Sequence, residues 1–319
     1  MAGRKSYTYI YVALIGNGLI AIAKFIAAAL TGSSAMIAEG IHSVVDTSNQ
    51  GLMLLGVKLS QRPADPGHPF GHGKEVYFWS FVVAILIFAV GSGISIYEGV
   101  IHLMHPGELE SPLTNYIVLA IAFVFETIAT SFAYKKFRKE KGSLGYIAAV
   151  QRSKDPTVFV VLFEDAAALT GIVVASVGVF LVQVTGNPYF DAVSSLIIGL
   201  ILAGVAIWLA YETRGLLLGE SANQPVVEKI RKAVESQPGV DRINKVMTMH
   251  MGPEHVLVIL SLDFTEGQSA AEVEAAAAAV EQKLREAEHA IKWVFIEAED
   301  LQRAKAAHIE PRISRIDAD

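Results

Sequence analysis

His42 and Asp46 stand four residues apart within an apolar run, AEGIHSVVD. On a helix that spacing puts both side chains on one face, with Glu39 one turn further along the same stripe. A second apolar run, VLFEDAAALTG, contains Glu164 and Asp165, neighbours that a helix separates by about 100° around its axis. Each charge inside a lipid-spanning helix costs at least about 2.5 kcal/mol, so such residues are expected to serve a function. Two facing helices that bring together one imidazole and two or three carboxylates make a four-coordinate nitrogen and oxygen site. It suits a divalent first-row metal, zinc above all. Ligation needs deprotonated groups, so the site holds either metal or protons, which is the chemical basis of metal/proton exchange. The plain structural alternative is that His42 and Asp46 bond each other or Lys24 of the first apolar run.

A third polar group lies in PADPGHPFGHGK, from Pro63 to Lys74, between two apolar runs. Its prolines and glycines predict a turn rather than a helix. From the residues alone, Asp65, His68 and His72 read as a catalytic centre, a metal site or part of a stiff connector. Glu98 and Glu126 are isolated, and a structural hydrogen bond or salt bridge is expected for each. His102 and His105 fall in an outer loop near Glu108 and Glu110 and are expected to be solvated. No HExxH or comparable hydrolase motif is present, which argues against an intramembrane metalloenzyme.

The elements that must position these groups are apolar. The chain has 319 residues, 52% hydrophobic and 18% charged, with a mean hydropathy of +0.43. That composition defines an integral membrane protein, which has the lipid bilayer as its solvent. Cysteine is absent, so disulfides, thiol catalysis and cysteine-ligated zinc are excluded. The net charge of -6 gives no reason to expect a nucleic-acid partner.

Six segments reach the roughly 20 apolar residues a spanning helix needs: about Tyr7–Leu30, Ser34–Val57, Val76–Leu103, Leu113–Tyr134, Thr157–Thr185 and Tyr189–Tyr211. The first is expected to be a retained span and not a cleaved signal. Lys and Arg gather in the connections after the second and fourth segments and are missing from the other three. By the positive-inside rule, both termini and the histidine turn face the cytoplasm, or the matrix of an organelle.

After Gly219 the pattern becomes that of a soluble domain. QPVVEKIRKAVESQPG reads as an amphipathic helix, INKVMTMHM and HVLVILSLDF as strands about the turn GPE, Ser269 to Glu288 as a helix, and KWVFIEAE as a strand. The order αββαβ predicts an open α+β sandwich. The expected organisation is therefore a transport domain over 1–217, a cytoplasmic domain over 218–300, and a partly disordered tail over 301–319.

GSSAMIAEGIHSVVDTSNQGLMLLG followed by PADPGHPFGHGKEV resembles the cation diffusion facilitators, divalent-metal exporters that exchange metal for protons. RSKDPTVFVVLFEDAAALTG and VTGNPYFDAVSSLIIG are similar to the branch that includes the mitochondrial zinc transporter of animals. The resemblance implies six spans, a homodimer and a C-terminal domain of ferredoxin or metallochaperone type. It implies a transport site of His42, Asp46 and Asp165, with Val161 where the family usually has histidine and Glu164 as the substitute ligand. Loss of that histidine makes the site harder and shifts it from zinc towards manganese, iron or cobalt.

The resemblance also implies an accessory metal at Asp65, His68 and His72, and leaves Glu39 an entrance or accessory role. Lys74 and Glu220 are a candidate salt bridge. The C-terminal domain lacks the family's histidine-rich metal centre, and Glu297 and Glu299 are expected on a solvated strand face. The whole predicts a proton-coupled exporter of Zn2+ or another divalent first-row metal, not an enzyme, working by alternating access. A bacterial inner membrane is the simpler expected location, with an organellar membrane as the other. The remaining alternative is a metal-sensing membrane scaffold without transport.

Overall fold

The computed structural model describes residues 7–31, 34–105 and 112–299; side chains at 27, 28, 30, 31, 34–42, 112 and 114 lie outside that description. Glu108, Glu110 and the tail over 301–319 fall outside it too. Contacts divide the chain into two compact units, Met1–Leu218 and Gly219–Asp319.

The first unit is helical. Helix α1 covers Thr8–Thr31 and α2 covers Ser34–Ser60. The third rod is made of α3 (Glu75–Leu86), a π-helical segment (Ile87–Ser92) and α4 (Gly93–Met104). Then come α5 (Pro112–Lys141), the short α6 (Tyr146–Arg152), α7 (Pro156–Thr185) and α8 (Tyr189–Leu218). Among the described residues, five segments are long and apolar enough to cross a membrane: Thr8–Ile26, Glu75–Met104, Asn115–Lys141, Pro156–Thr185 and Tyr189–Leu218. Side chains such as Ile22, Phe88, Leu200 and Ile207 remain exposed on them, as lipid-facing helices require. Helix α2, 27 residues long, is not among these five.

Two boundaries differ from the sequence reading. Helix α5 continues past Tyr134 to Lys141, because Lys and Arg are good helix formers and favour a helix C-terminus. Lys136 Nζ lies 2.8 Å from Glu140 Oε1 within that extension. The π-helical segment was not legible at all, since a local change of helical pitch leaves no mark on an unbroken apolar run.

Helix α7 is held firmly where it begins. Asp155 Oδ1 accepts from the Thr157 N–H at 3.2 Å and from its hydroxyl at 2.6 Å, and Pro156 is preorganised for the first turn. Tyr9 of α1 places its hydroxyl 2.6 Å from Thr157 Oγ1. Helices α4 and α8 approach closely through glycine. A Cβ on Gly99 would meet Leu196 Cγ at 2.7 Å, and one on Gly199 would meet Ile96 Cγ1 at 2.6 Å. Small residues at such contacts are the usual means of packing helices in lipid, where burial supplies no drive.

In the second unit α9 (Gln224–Glu235) precedes β1 (Val240–Gly252) and β2 (His255–Phe264), followed by α10 (Ala270–Ala287) and β3 (Ile291–Ala298). This is the expected αββαβ order. The sheet runs β1-β2-β3, with β1 antiparallel and β3 parallel to β2. Alternate residues Val256, Val258, Leu260 and Leu262 of β2 pack with Ile230 and Val234 of α9 and Val280 and Leu284 of α10. A capping box at Ser269 and Glu272 starts α10. Glu297 is exposed as expected, whereas Glu299 is tied down, its Oε2 accepting from Ser261 Oγ at 3.0 Å.

Candidate functional site

A cavity of about 170 Å³ lies among α1, α2, α4, α5, α7 and α8. Its polar lining comes from Asn17 and Lys24 of α1, Asp46 and Asn49 of α2, Glu98 of α4, Glu126 of α5, and Glu164 and Asp165 of α7. Asp46 of the second helix and the acidic pair of α7, far apart in sequence, thus open onto one chamber. Helix α2 is continuous through residues 39 and 42, but the side chains of Glu39 and His42 lie outside the described residues.

Glu164 and Asp165 are held differently. Glu164 is buried, with Oε1 accepting from Asn49 Nδ2 and Oε2 from Gln50 Nε2, each at 2.9 Å. Each oxygen keeps a second lone pair. Asp165 is 1% exposed, and its Oδ2 has no hydrogen-bond partner among the described residues. A buried carboxylate oxygen left unpaired is costly unless a proton or a cation satisfies it. Lys24, also buried, donates from Nζ to Ser43 Oγ at 2.9 Å.

Glu126, expected in a structural bond, instead lines the chamber with a buried Oε2 that has no hydrogen-bond partner among the described residues. Sequence reasoning missed it because an isolated glutamate has no spacing to give it away. Asn49 and Gln50 were also missed, although they follow Asp46 by three and four positions and so continue its stripe.

The histidine turn is compact. Asp65 N–H donates to the His68 carbonyl at 3.2 Å, and His68 N–H donates to the Asp65 carbonyl at 3.0 Å. His68 N–H also lies 2.7 Å from Asp65 Oδ1. Gly71 turns the chain at φ +77°, a left-handed conformation that favours glycine. These constraints bring His72 Nε2 to 2.8 Å from Asp65 Oδ2 and His68 Nδ1 to 3.3 Å from Oδ1. One ligating atom from each of the three residues lies within 4.8 Å of the others, the one such group among the described residues. The His72 hydrogen bond, helped by the His68 N–H, holds the Asp65 carboxyl down at about 2. Asp65 is therefore ionised at any physiological pH and ready to ligate a cation.

His102 is exposed, as expected, and its Nδ1 lies 3.2 Å from Asp191 Oδ2 of α8. The packing of α4 on α8 supplies this partner from 89 positions away. Lys74 Nζ lies 3.5 Å from the Leu217 carbonyl oxygen. Its candidate partner Glu220 belongs to the second unit, where its carbonyl accepts from the His250 N–H at 2.9 Å.

Fold and site together define a multi-pass helical membrane protein with a charged chamber among its helices and a histidine turn beside it. The chain belongs to the cation efflux family, whose transmembrane domain matches residues 10–218. It is similar to the "Proton-coupled zinc antiporter SLC30A9, mitochondrial" of Xenopus laevis, 38% identical over 80% of this chain and 46% of the relative. The human protein of that name is 36% identical over 80% of this chain and 45% of its own length. The "Manganese efflux system protein MneP" of Bacillus subtilis is 25% identical over 79% of this chain and 82% of the relative. The chain spans about half the length of the antiporters it matches.

Proposed function

We propose that the protein is a secondary transporter that exports a divalent metal ion from the cytoplasm, or from the matrix of an organelle, in exchange for protons. Zinc is the favoured cargo. The observation that carries this reading is the chamber where Asp46 of α2 meets Glu164 and Asp165 of α7, with Asp165 Oδ2 buried and unpaired. In this reading α2 is a sixth span. The transported ion binds His42, Asp46 and Asp165, with Glu164 adding charge and a spare lone pair, while Glu39 lines the approach. When the ion leaves, protons take its place on the same carboxylates. Rocking of the helices about this site opens it to one side and then the other.

Asp65, His68 and His72 hold an accessory metal on the cytoplasmic side of the membrane, where both termini also lie. The working unit is a homodimer. A bacterial inner membrane is the favoured location, and the mitochondrial relatives support an organellar one as the other. Manganese is the second cargo: the oxygen-rich chamber favours a harder cation, and one relative is named for manganese efflux.

The purified full chain in liposomes, given a pH gradient and zinc- or manganese-sensitive dyes inside, tests the proposal. Metal flux coupled to opposite proton flow, and abolished by Asp46→Ala, is the expected result. Absence of flux with either metal would sink it.

A further inference from the structure

The chamber contains two carboxylates that the expected ligand set does not use, Glu98 and Glu126. Glu126 projects from α5 and is 6% exposed. Its Oε2 is buried without a hydrogen-bond partner among the described residues, the same condition as Asp165 Oδ2 in the same cavity. Glu164, by contrast, has both oxygens engaged by Asn49 and Gln50. Among the described chamber carboxylates, the unpartnered buried oxygens are therefore those of Asp165 and Glu126. They come from two helices that pack directly on each other, α7 and α5.

A membrane protein does not keep such a carboxylate for packing. Left ionised and unpaired it costs several kcal/mol, and an apolar residue of similar volume would fill the same space at no such cost. The groups that face Glu126 electrostatically are Asp46 of α2 and Lys24 of α1. Lys24 is one positive charge among the carboxylates of Asp46, Glu126, Glu164 and Asp165, and its Nζ is also bonded to Ser43. Either protons or a divalent cation offset the carboxylate charge that Lys24 leaves over, and in the exporter reading the two alternate on these groups.

We propose that Glu126 is a cation-binding residue of the transport chamber, acting with Asp46 and Asp165 on the transported divalent metal. This rests on the exporter reading given above and adds a third helix, α5, to the two that supply the expected ligands. Three of the described carboxylates do not converge within 4.8 Å in this structure. Binding through Glu126 therefore draws α5 inward, and the ion's arrival is felt by a helix that carries no expected ligand.

The test uses the full chain in detergent and in liposomes. Glu126→Gln keeps the shape and removes the charge; Glu126→His exchanges oxygen for nitrogen. Titration calorimetry with Zn2+ and Mn2+ should show at least about tenfold weaker binding in E126Q. E126H should move the Zn2+ to Mn2+ affinity ratio towards zinc, a change that a purely structural glutamate would not produce. Wild-type flux together with E126Q affinities and an E126H ratio equal to wild type overturns the proposal and leaves the exporter reading standing. A wild type that neither binds nor moves metal overturns the exporter reading itself. A variant whose metal-free melting temperature drops while the affinities and their ratio hold marks Glu126 as structural, which also overturns the proposal.

Discussion

Gln50 of α2 and Glu164 of α7 are joined through the membrane unit by a hydrogen bond of 2.9 Å, and Asn49 repeats the contact on the other carboxylate oxygen. Two of the helices that face the chamber are thus clamped by a pair of amides on one acid. Next to that clamp, Asp165 keeps an oxygen without a hydrogen-bond partner among the described residues. Neighbours in sequence, the two acids are thus held differently, and the proposed function gives them separate work, one fixing the distance between helices and the other binding the cation.

Asp165→Asn is accordingly expected to cost more in metal binding than Glu164→Gln. Removing the free anion should weaken binding by more than about 100-fold, whereas neutralising the clamped acid should cost about tenfold, as for groups that support a ligand. Calorimetry on the two variants decides. Equal losses would mean that Glu164 ligates as directly as Asp165.

At the histidine turn the pH dependence has a definite sign. The folded value of Asp65 is depressed from 3.8 to about 2, so its stabilisation of the turn is present above about 3.8 and lost as pH falls towards 2. Over the physiological range Asp65 stays ionised and keeps its charge for a bound cation. Asp65→Asn should weaken metal binding at the turn throughout that range. Binding curves of the full chain carrying Asp46→Ala, which silences the chamber, check this.

The contact between α4 and α8 predicts a stability effect. Gly199→Ala puts a Cβ at 2.6 Å from Ile96 Cγ1 and 3.2 Å from the Ser92 carbonyl oxygen, so overpacking should cost about 1–3 kcal/mol. Gly204→Ala, with nothing within 4 Å of the new carbon, should be tolerated. Melting temperatures in detergent should fall for the first variant and hold for the second.

His102 and Asp191 form an exposed pair, with side chains 48% and 45% exposed. A double-mutant cycle with His102→Ala and Asp191→Ala should give a coupling of less than about 1 kcal/mol, falling further at high salt. A larger coupling would point to a role beyond an ordinary surface pair.

These residues also show what the sequence makes legible. The αββαβ order and the helix that carries Asp46 follow from spacing, because helical and strand periods are written locally. The place of Glu126 in the chamber and the His102 partner Asp191 are not legible, since each depends on which distant helix packs alongside, and the π-helical segment is not because a change of pitch leaves no mark on an apolar run. Asn49 and Gln50 fall between: their stripe is local, but the acid they hold lies 115 and 114 positions away.

The reciprocal fit of α4 and α8 carries a mechanical meaning. Each helix offers a glycine to the branched side chain that stands three residues before the other's glycine, Ile96 against Gly199 and Leu196 against Gly99. Two parts meshed like this resist sliding, because a shift of one residue along either axis drives a side chain into backbone. They travel as a single strut, and whatever opens the chamber has to hinge around that strut instead of through it.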